Sequence, residues 1–359
     1  MQMPQLDILA LEPFYGGERK SMLETILRFS RHRWTVLKLP PRRIERRLAA
    51  AAHWFGEQIS RHWSGHIDVL FCSEAMNLAD LLRFVPELAT KPSVVYFHDN
   101  QLPPIGSTPD NPLQVVNIST AAAATEVWFN SHYHKRTFLR RAKALVEQLP
   151  ELAGHDPVPE VTDKAAFMPP PVDQTLSQQI IQSESVVRDP RTIFVDTRNA
   201  NTKLLNEALT MLHRREKYKL ITVGPVEGLT DDLPRRTIAE DDEPAQIRAL
   251  HEAFVVVSGR PYANYDHHAV RGLLLGCWPI FPNAACYPEL LPKSLHPLCL
   301  YDTADADRLV TQLQNSWWIE QPAKYKDELF AILTRFDAVQ ACQAMDDRLE
   351  QLAIAYTLS

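Results

Sequence analysis

No C-x2-C pair occurs in this sequence, and its five cysteines, Cys72, Cys277, Cys286, Cys299 and Cys342, are odd in number and widely scattered. That excludes a disulfide-stapled scaffold and the common structural zinc modules, and points to a reducing, cytoplasmic compartment. No stretch reaches the roughly 18 apolar residues of a membrane span. The opening MQMPQLDILALEP has no basic segment ahead of its apolar run, so neither export nor a membrane role is expected. The glycines nowhere form G-x-G-x-x-G, which removes the usual dinucleotide fingerprint. Internal repeats and low-complexity tracts are also missing.

What is present is the mixture of an ordinary globular protein: 45% apolar and 23% charged residues over 359 positions. That length is about twice a usual domain, so two packed domains are expected. The net charge of −6 argues against a non-specific coater of nucleic acid, but the charge is unevenly placed. Residues 1–150 hold 18 Lys+Arg against 14 Asp+Glu, and the remainder 20 against 30. Two clusters make the first part basic: Arg42, Arg43, Arg46, Arg47, and Lys135, Arg136, Arg140, Arg141, Lys143, each placed on a helix by its periodicity. They read either as solvated helix faces or as a surface for a phosphate backbone.

Short apolar runs at Leu6–Leu11, Trp34–Leu39, Ile67–Cys72, Val94–His98 and Val127–Asn130 alternate with helical patterns such as Arg46–Gln58 and Lys135–Leu149. That alternation predicts an α/β unit with a mostly parallel sheet. Periodicity fades between Pro150 and Pro171, read as the connection, and a second α/β series follows from Arg191. The tail from Asp327 to Tyr356 is helical by pattern and holds no Gly or Pro. The predicted division is 1–170, 171–335, and a closing helix over 336–359 that packs back across the domains. Two Rossmann-like domains facing across a cleft fit this pattern, with chemistry in the loops after the strands.

Five such loops carry candidate residues. Tyr15-Gly16-Gly17 lies between strand and helix, where glycines serve either a tight turn or close approach of a ligand to a helix N-terminus. His98-Asp99-Asn100-Gln101 sets four hydrogen-bonding side chains in a row after a buried strand, which packing alone does not explain. Asn130-Ser131 reads as a helix cap, alone or with a substrate contact. Arg198 and Lys203 open the first loop of the second domain; they are surface decoration or a joint grip on a diphosphate, Arg as a fork and Lys as a point charge. The fifth loop runs through Asn264, Asp266, His267 and His268. Adjacent histidines on a helix diverge by about 100°, so a shared metal is not expected.

These segments, in this order, resemble retaining GT-B glycosyltransferases. Leu11-Glu12-Pro13-Phe14-Tyr15-Gly16-Gly17, Tyr96-Phe97-His98-Asp99-Asn100-Gln101-Leu102 and Phe129-Asn130-Ser131 resemble the tRNA-queuosine mannosyltransferase family over about the first 140 residues. In the second half Arg198 with Lys203, Gly276-Cys277-Trp278-Pro279 and Tyr287-Pro288-Glu289 are similar to the family's donor-side segments. The resemblance implies transfer of a hexose from a nucleoside-diphosphate sugar, GDP-mannose in the family, to queuosine in tRNA, without cofactor or metal. It implies Arg198 and Lys203 on the departing diphosphate, with Gly16 and Gly17 beside the phosphates. His98 would act in catalysis; Tyr15, His98, Asp99, Asn100, Gln101, Asn130 and Ser131 would hold the acceptor. The family's two donor glutamates, eight residues apart, fall on Ala263 and Arg271. Asn264, Asp266, His267 and Arg271 are therefore the candidate substitutes on the donor side. Two alternatives stay open: the same fold with a non-tRNA acceptor, and a non-catalytic nucleotide-sugar-binding protein.

Overall fold

Apolar runs of five or six residues between polar turns become strands covered on both faces, as a parallel sheet between helix layers requires. In the first half these are β1 (Asp7–Glu12), β2 (Arg33–Lys38), β3 (Val69–Ser73), β4 (Ser93–Phe97), β5 (Glu126–Phe129) and β6 (Ala165–Phe167). The helices among them are α1 (Gly17–Phe29), α2 (Ile44–His62), α3 (Leu78–Phe84), α4 (Val116–Ala123), α5 (His132–Val146) and α6 (Val158–Asp163). All neighbouring strands are parallel, in the order β2-β1-β3-β4-β5-β6. The central strands β3, β4 and β5 are buried at every position, whereas edge strand β2 is half exposed.

The second half repeats the scheme with α7 (Thr175–Ser183), β7 (Asp189–Asp196), α8 (Thr202–Arg215), β8 (Lys219–Val223), β9 (Arg235–Ile238), α9 (Glu243–Glu252), β10 (Ala253–Ser258), α10 (His267–Leu274) and β11 (Trp278–Pro282). It is completed by α11 (His296–Cys299), β12 (Leu300–Tyr301), α12 (Ala306–Ser316) and α13 (Ala323–Leu333), with strand order β12-β11-β10-β7-β8-β9. A last helix, α14 (Ala338–Leu358), follows. This computed structural model describes residues 5–107, 111–149, 154, 156–224, 228–319 and 323–358. Contacts divide the chain into two units: 1–172 with 338–359, and 173–337.

The first sheet has a different core on each face. One buries Phe55 and Ile59 of α2, Leu78 and Leu81 of α3 and Phe138 and Leu145 of α5. The other buries Met22, Leu23 and Ile26 of α1 together with Cys342, Met345 and Leu349 of α14. Full burial of a Met or Leu side chain contributes about 1.5–3 kcal/mol, so α14 is an integral layer of the first unit. Asp346 fixes it further, accepting the Ser30 hydroxyl at 2.6 Å and the Arg31 N–H at 2.9 Å.

Three expectations need correction. The tail is not one helix: a 3-10 turn at Thr334–Phe336 separates α13 from α14 and buries Phe336 beside Tyr265, 6.2 Å between ring centroids. Tertiary burial ends the helix there, without Gly or Pro. Much of the segment read as a structureless connection forms α6 and β6, and β6 extends the sheet by pairing with β5; 150–153 and 155 lie outside the described residues. Arg42 and Arg43 precede α2, with Arg43 left-handed at φ 55.

Candidate functional site

Both sheets reverse strand order beside their first strand: β1 has β2 on one side and β3 on the other, and β7 has β8 and β10. Loops leave such a point in opposite directions, so a crevice opens there at the carboxyl ends of the strands. In the first unit those ends are Glu12 on β1 and Ser73-Glu74 at β3. Arg19, buried in the first turn of α1, donates to Glu74 with both Nη atoms, Nη1 at 2.9 Å and Nη2 closer. The same carboxylate accepts the backbone N–H of His98 at 3.2 Å and of Asp99 at 3.0 Å. One buried ion pair thereby ties the Gly16-Gly17 turn to the turn after β4. Asn117 fastens this turn as well, accepting the Gln101 N–H at 2.7 Å and donating to the Glu74 carbonyl at 3.0 Å.

The glycines themselves have separate reasons. A methyl group on Gly16 would stand 2.5 Å from Pro41 Cγ, and Gly17 is left-handed at φ +53 with open space where a side chain would start. Tyr15 donates to Glu24 at 3.0 Å, with Lys38 4.0 Å from its ring centroid. Burial, then Glu24, pushes its hydroxyl up to about 12.

Further along the strand ends, Asn130 donates to the His98 carbonyl at 2.8 Å, which turns its amide oxygen toward His134 Nδ1 at 2.9 Å. His134 Nδ1 therefore carries the proton, and Nε2 accepts from Asn100 Nδ2 at 2.9 Å. The imidazole is neutral: burial, with Arg141 and Arg19 nearby, lowers it to about 3. Burial, Arg19 and His134 likewise hold His98 well below the usual histidine range. Its ring lies 4.7 Å from that of Tyr96 and makes no hydrogen bond to another described residue. A neutral imidazole so placed can donate to or accept from a ligand hydroxyl. Ser131 acts as the cap of α5, accepting the His134 N–H at 2.8 Å. Asp99 is exposed, with Asn100 and Gln101 half-buried beside it.

The buried cluster contains one guanidinium and two carboxylates. Glu74 forms the ion pair; among the described residues the Glu12 carboxyl accepts the Phe14 N–H at 2.7 Å and the Ser73 hydroxyl at 3.1 Å. Burial raises Glu12 to about 7, with Arg19 opposing and Glu74 adding to the rise. Burying two like charges against one cation is unfavourable, and protonating Glu12 relieves it.

At the reversal point of the second sheet, Asp196 at the end of β7 is buried. It takes a fork from Arg198, Nε to Oδ1 at 2.9 Å and Nη2 to Oδ2 at 2.8 Å. Burial raises the Asp196 carboxyl, but the adjacent His268 and Arg198 outweigh it and the net shift is downward. Gln246 donates to the Ala239 and Glu240 carbonyls, both at 2.9 Å, so its oxygen faces His268 Nε2 at 2.9 Å and that nitrogen holds the proton. His268 Nδ1 then stands 2.9 Å from Arg198 Nη2 and 2.8 Å from Asp196 Oδ2. Arg198 is thus oriented from two sides while its side chain stays 33% exposed, and its Nη1 has no partner among the described residues. Gly224, at φ +89, leaves room for its stem, since a methyl there would meet Arg198 Cγ at 2.5 Å.

Lys203 is exposed in the first turn of α8 and forms no ion pair with a described residue. Asp266 is buried as the cap of α10, accepting the Ala269 N–H at 3.0 Å, the Ser258 hydroxyl at 2.7 Å and the Tyr287 hydroxyl at 2.8 Å. Both of its oxygens accept hydrogen bonds inside the domain. Arg271 is buried and pairs with Glu243 at 2.7 Å, and its Nε has no partner. Ala263 is buried, while Asn264 and His267 are half-buried. Burial, then Arg271, holds His267 below the usual histidine range. No group of three metal-binding side chains occurs among the described residues. An open groove lined by Thr237, Ile238, Asp242, Arg248 and Glu252 contains none of the predicted donor residues.

Sequence reading assigned no role to Arg19, Glu12, Glu74, Asn117, His134, Asp196 or Gln246. Only Glu12 and Asp196, carboxylates closing apolar strands, carried a visible signal.

Two six-stranded parallel sheets with helices on their faces, each reversing strand order beside its first strand, define the GT-B fold. The solved structures with this fold include a glycosyltransferase from Rickettsia africae, 13% identical, covering 98% of this chain and 99% of that one with a TM-score of 0.66. Anabaena HepE, solved with UDP and glucose, is 14% identical over 97% of this chain and 100% of its own, TM-score 0.61. Residues 7–172 match the family described as tRNA-queuosine alpha-mannosyltransferase N-terminal. A Drosophila melanogaster tRNA-queuosine alpha-mannosyltransferase is 25% identical over 323 residues, 83% of this chain and 84% of that protein.

Proposed function

We propose that this protein transfers a hexose, mannose in the first instance, from a nucleoside-diphosphate sugar to queuosine in tRNA, in the cytoplasm. The observation that carries the reading is a coincidence. The segment matching the queuosine family, residues 7–172, is the one whose strand ends hold the Arg19–Glu74 pair and the neutral His98. No helix among the described residues is long and apolar enough to cross a membrane.

In this reading Arg198, with an unpartnered Nη1, and exposed Lys203 at a helix N-terminus stabilise charge developing on the departing diphosphate. The oriented guanidinium needs little reorganisation during the reaction. His98 hydrogen-bonds a hydroxyl of the acceptor or the sugar. Asp99, Asn100 and Gln101 line the same turn. Mass spectrometry of tRNA nucleosides from the source organism, with and without the gene, tests this. A hexosyl-queuosine lost on deletion supports the proposal; an unchanged nucleoside profile ends it.

One observation favours a second reading, nucleotide-sugar binding without transfer. Ala263 is apolar and Arg271 is engaged with Glu243, so neither can replace the carboxylates implied at those positions. Saturable binding of a nucleoside diphosphate, with no turnover of any sugar donor, would select it.

A further inference from the structure

Among the helices of the first unit, α5 stands out by charge: HYHKRTFLRRAKALV holds five Lys or Arg and no Asp or Glu. Its buried face is formed by His134, Phe138, Ala142, Leu145 and Val146. On the flanks Lys135 donates to the Ala165 carbonyl, and Arg141 to the Leu102 carbonyl at 3.4 Å. The remaining three, Arg136, Arg140 and Lys143, are exposed. Their spacing of four and then three residues aligns them along one stripe, about 6 and about 4.5 Å apart along the axis. None pairs with a carboxylate among the described residues.

The stripe runs against the energetics of the helix that carries it. Like charges four residues apart on a helix, as Arg136 and Arg140 are, repel. Several other basic residues of the same unit are matched: Arg33 with Asp7, Arg31 with Asp347 and Glu350, Arg61 with Glu57, Lys164 with Glu160, and Arg348 with Glu126. Three in a row here, as at Arg42, Arg43 and Arg46 ahead of and at the start of α2, have no such partner among the described residues. The same helix begins in the candidate site, since Ser131 is its cap and His134, on its buried face, joins Asn130 and Asn100.

We propose that Arg136, Arg140 and Lys143 form a docking stripe for an RNA phosphodiester backbone. An RNA strand lying along α5 delivers a nucleoside toward the turn that carries His98. The spacing suits successive phosphates of one strand, and arginine forks bind phosphate well. The inference rests on the reading above that the acceptor belongs to RNA, and adds which surface of the chain takes the backbone.

The test uses the full chain and a synthetic anticodon stem-loop RNA, with affinity followed by fluorescence anisotropy across salt concentrations. In a variant carrying Arg136→Gln, Arg140→Gln and Lys143→Gln, the slope of log affinity against log salt becomes shallower by about 0.9 per lost contact, nearly three in all. Wild type then loses about 40-fold more affinity than the variant between about 50 and about 200 mM salt. A charge-conserving variant, Arg136→Lys, Arg140→Lys and Lys143→Arg, retains most of the slope. An unchanged slope in the glutamine variant overturns the proposal, as does a wild-type chain that fails to bind the RNA. Loss of binding to phosphatidylserine vesicles with RNA binding intact overturns it in favour of a membrane surface. Stripe-dependent RNA binding without sugar transfer upholds the stripe and refutes the transferase reading. Transfer to tRNA with an unchanged slope does the reverse.

Discussion

Replacing Glu12 by Gln isolates the buried cluster at the end of β1. Burial raises the Glu12 carboxyl from an ordinary 4.5 to about 7 in the folded protein. Between those values the unfolded chain has released this proton and the folded chain retains it. Stability from this group therefore falls as pH rises. It is fully present below 4.5, declines through the interval, and is gone above 7. At about 1.4 kcal/mol per pH unit, the difference amounts to about 3 kcal/mol. The amide introduced by Glu12→Gln mimics the neutral acid, keeps an acceptor for Phe14 N–H and Ser73, and does not titrate. Urea unfolding of both proteins, from pH 4.5 to about 8, should show similar stability at the acid end. At the alkaline end the variant should lead by about 3 kcal/mol. Parallel pH profiles would mean that Arg19 compensates both carboxylates together, and the charge argument would fail.

Arg198→Ala should lower sugar transfer by about 10²–10³-fold. It should also cost about 2 kcal/mol in a thermal melt, because Asp196 loses its fork, less than a fully buried pair since Arg198 is partly exposed. Lys203→Ala, on an exposed residue, should lower transfer while leaving the melting temperature unchanged; a large drop in stability would contradict its placement. Leu349→Ala should destabilise the first unit by about 3 kcal/mol through the cavity left under α14, seen as faster hydrogen exchange in β1 and β3. Equal acceleration in the second unit would refute the assignment of α14. Gly16→Ala should cost about 1–3 kcal/mol by overpacking against Pro41, and denaturant midpoints would measure it.

The alternation of apolar runs and helical patterns was enough to read both sheets, since a parallel sheet hides its strands in a way that composition reveals. Ala165–Phe167 was not legible, because three residues are too few to show a period and pairing with β5 decides them. The break before Ala338 was invisible for a related reason: the burial of Phe336 ends the helix, and no local residue announces it. In the site, His98 through Gln101 stood out because polar residues followed a buried strand. Their support did not. Arg19 and Glu74 are 55 positions apart, and nothing local to either residue names the other. Asp266 was conspicuous for the opposite reason, a polar residue at a loop whose oxygens turn inward as a cap.

The path of the chain has a consequence for its synthesis. The second unit, Asp173–Asp337, is inserted between the bulk of the first unit and α14. A ribosome that has completed β6 must still make the 165 residues of the second unit, Asp173–Asp337, and the start of α14 before Cys342, Met345 and Leu349 emerge. At cellular elongation rates that delay is on the order of ten seconds or more. Throughout it the face that carries Ile8, Val69 and Trp128 lacks its final layer. The unit translated first is therefore finished last. A nascent chain stalled near Asp337 should present that uncovered face to chaperones while its second unit is already folded.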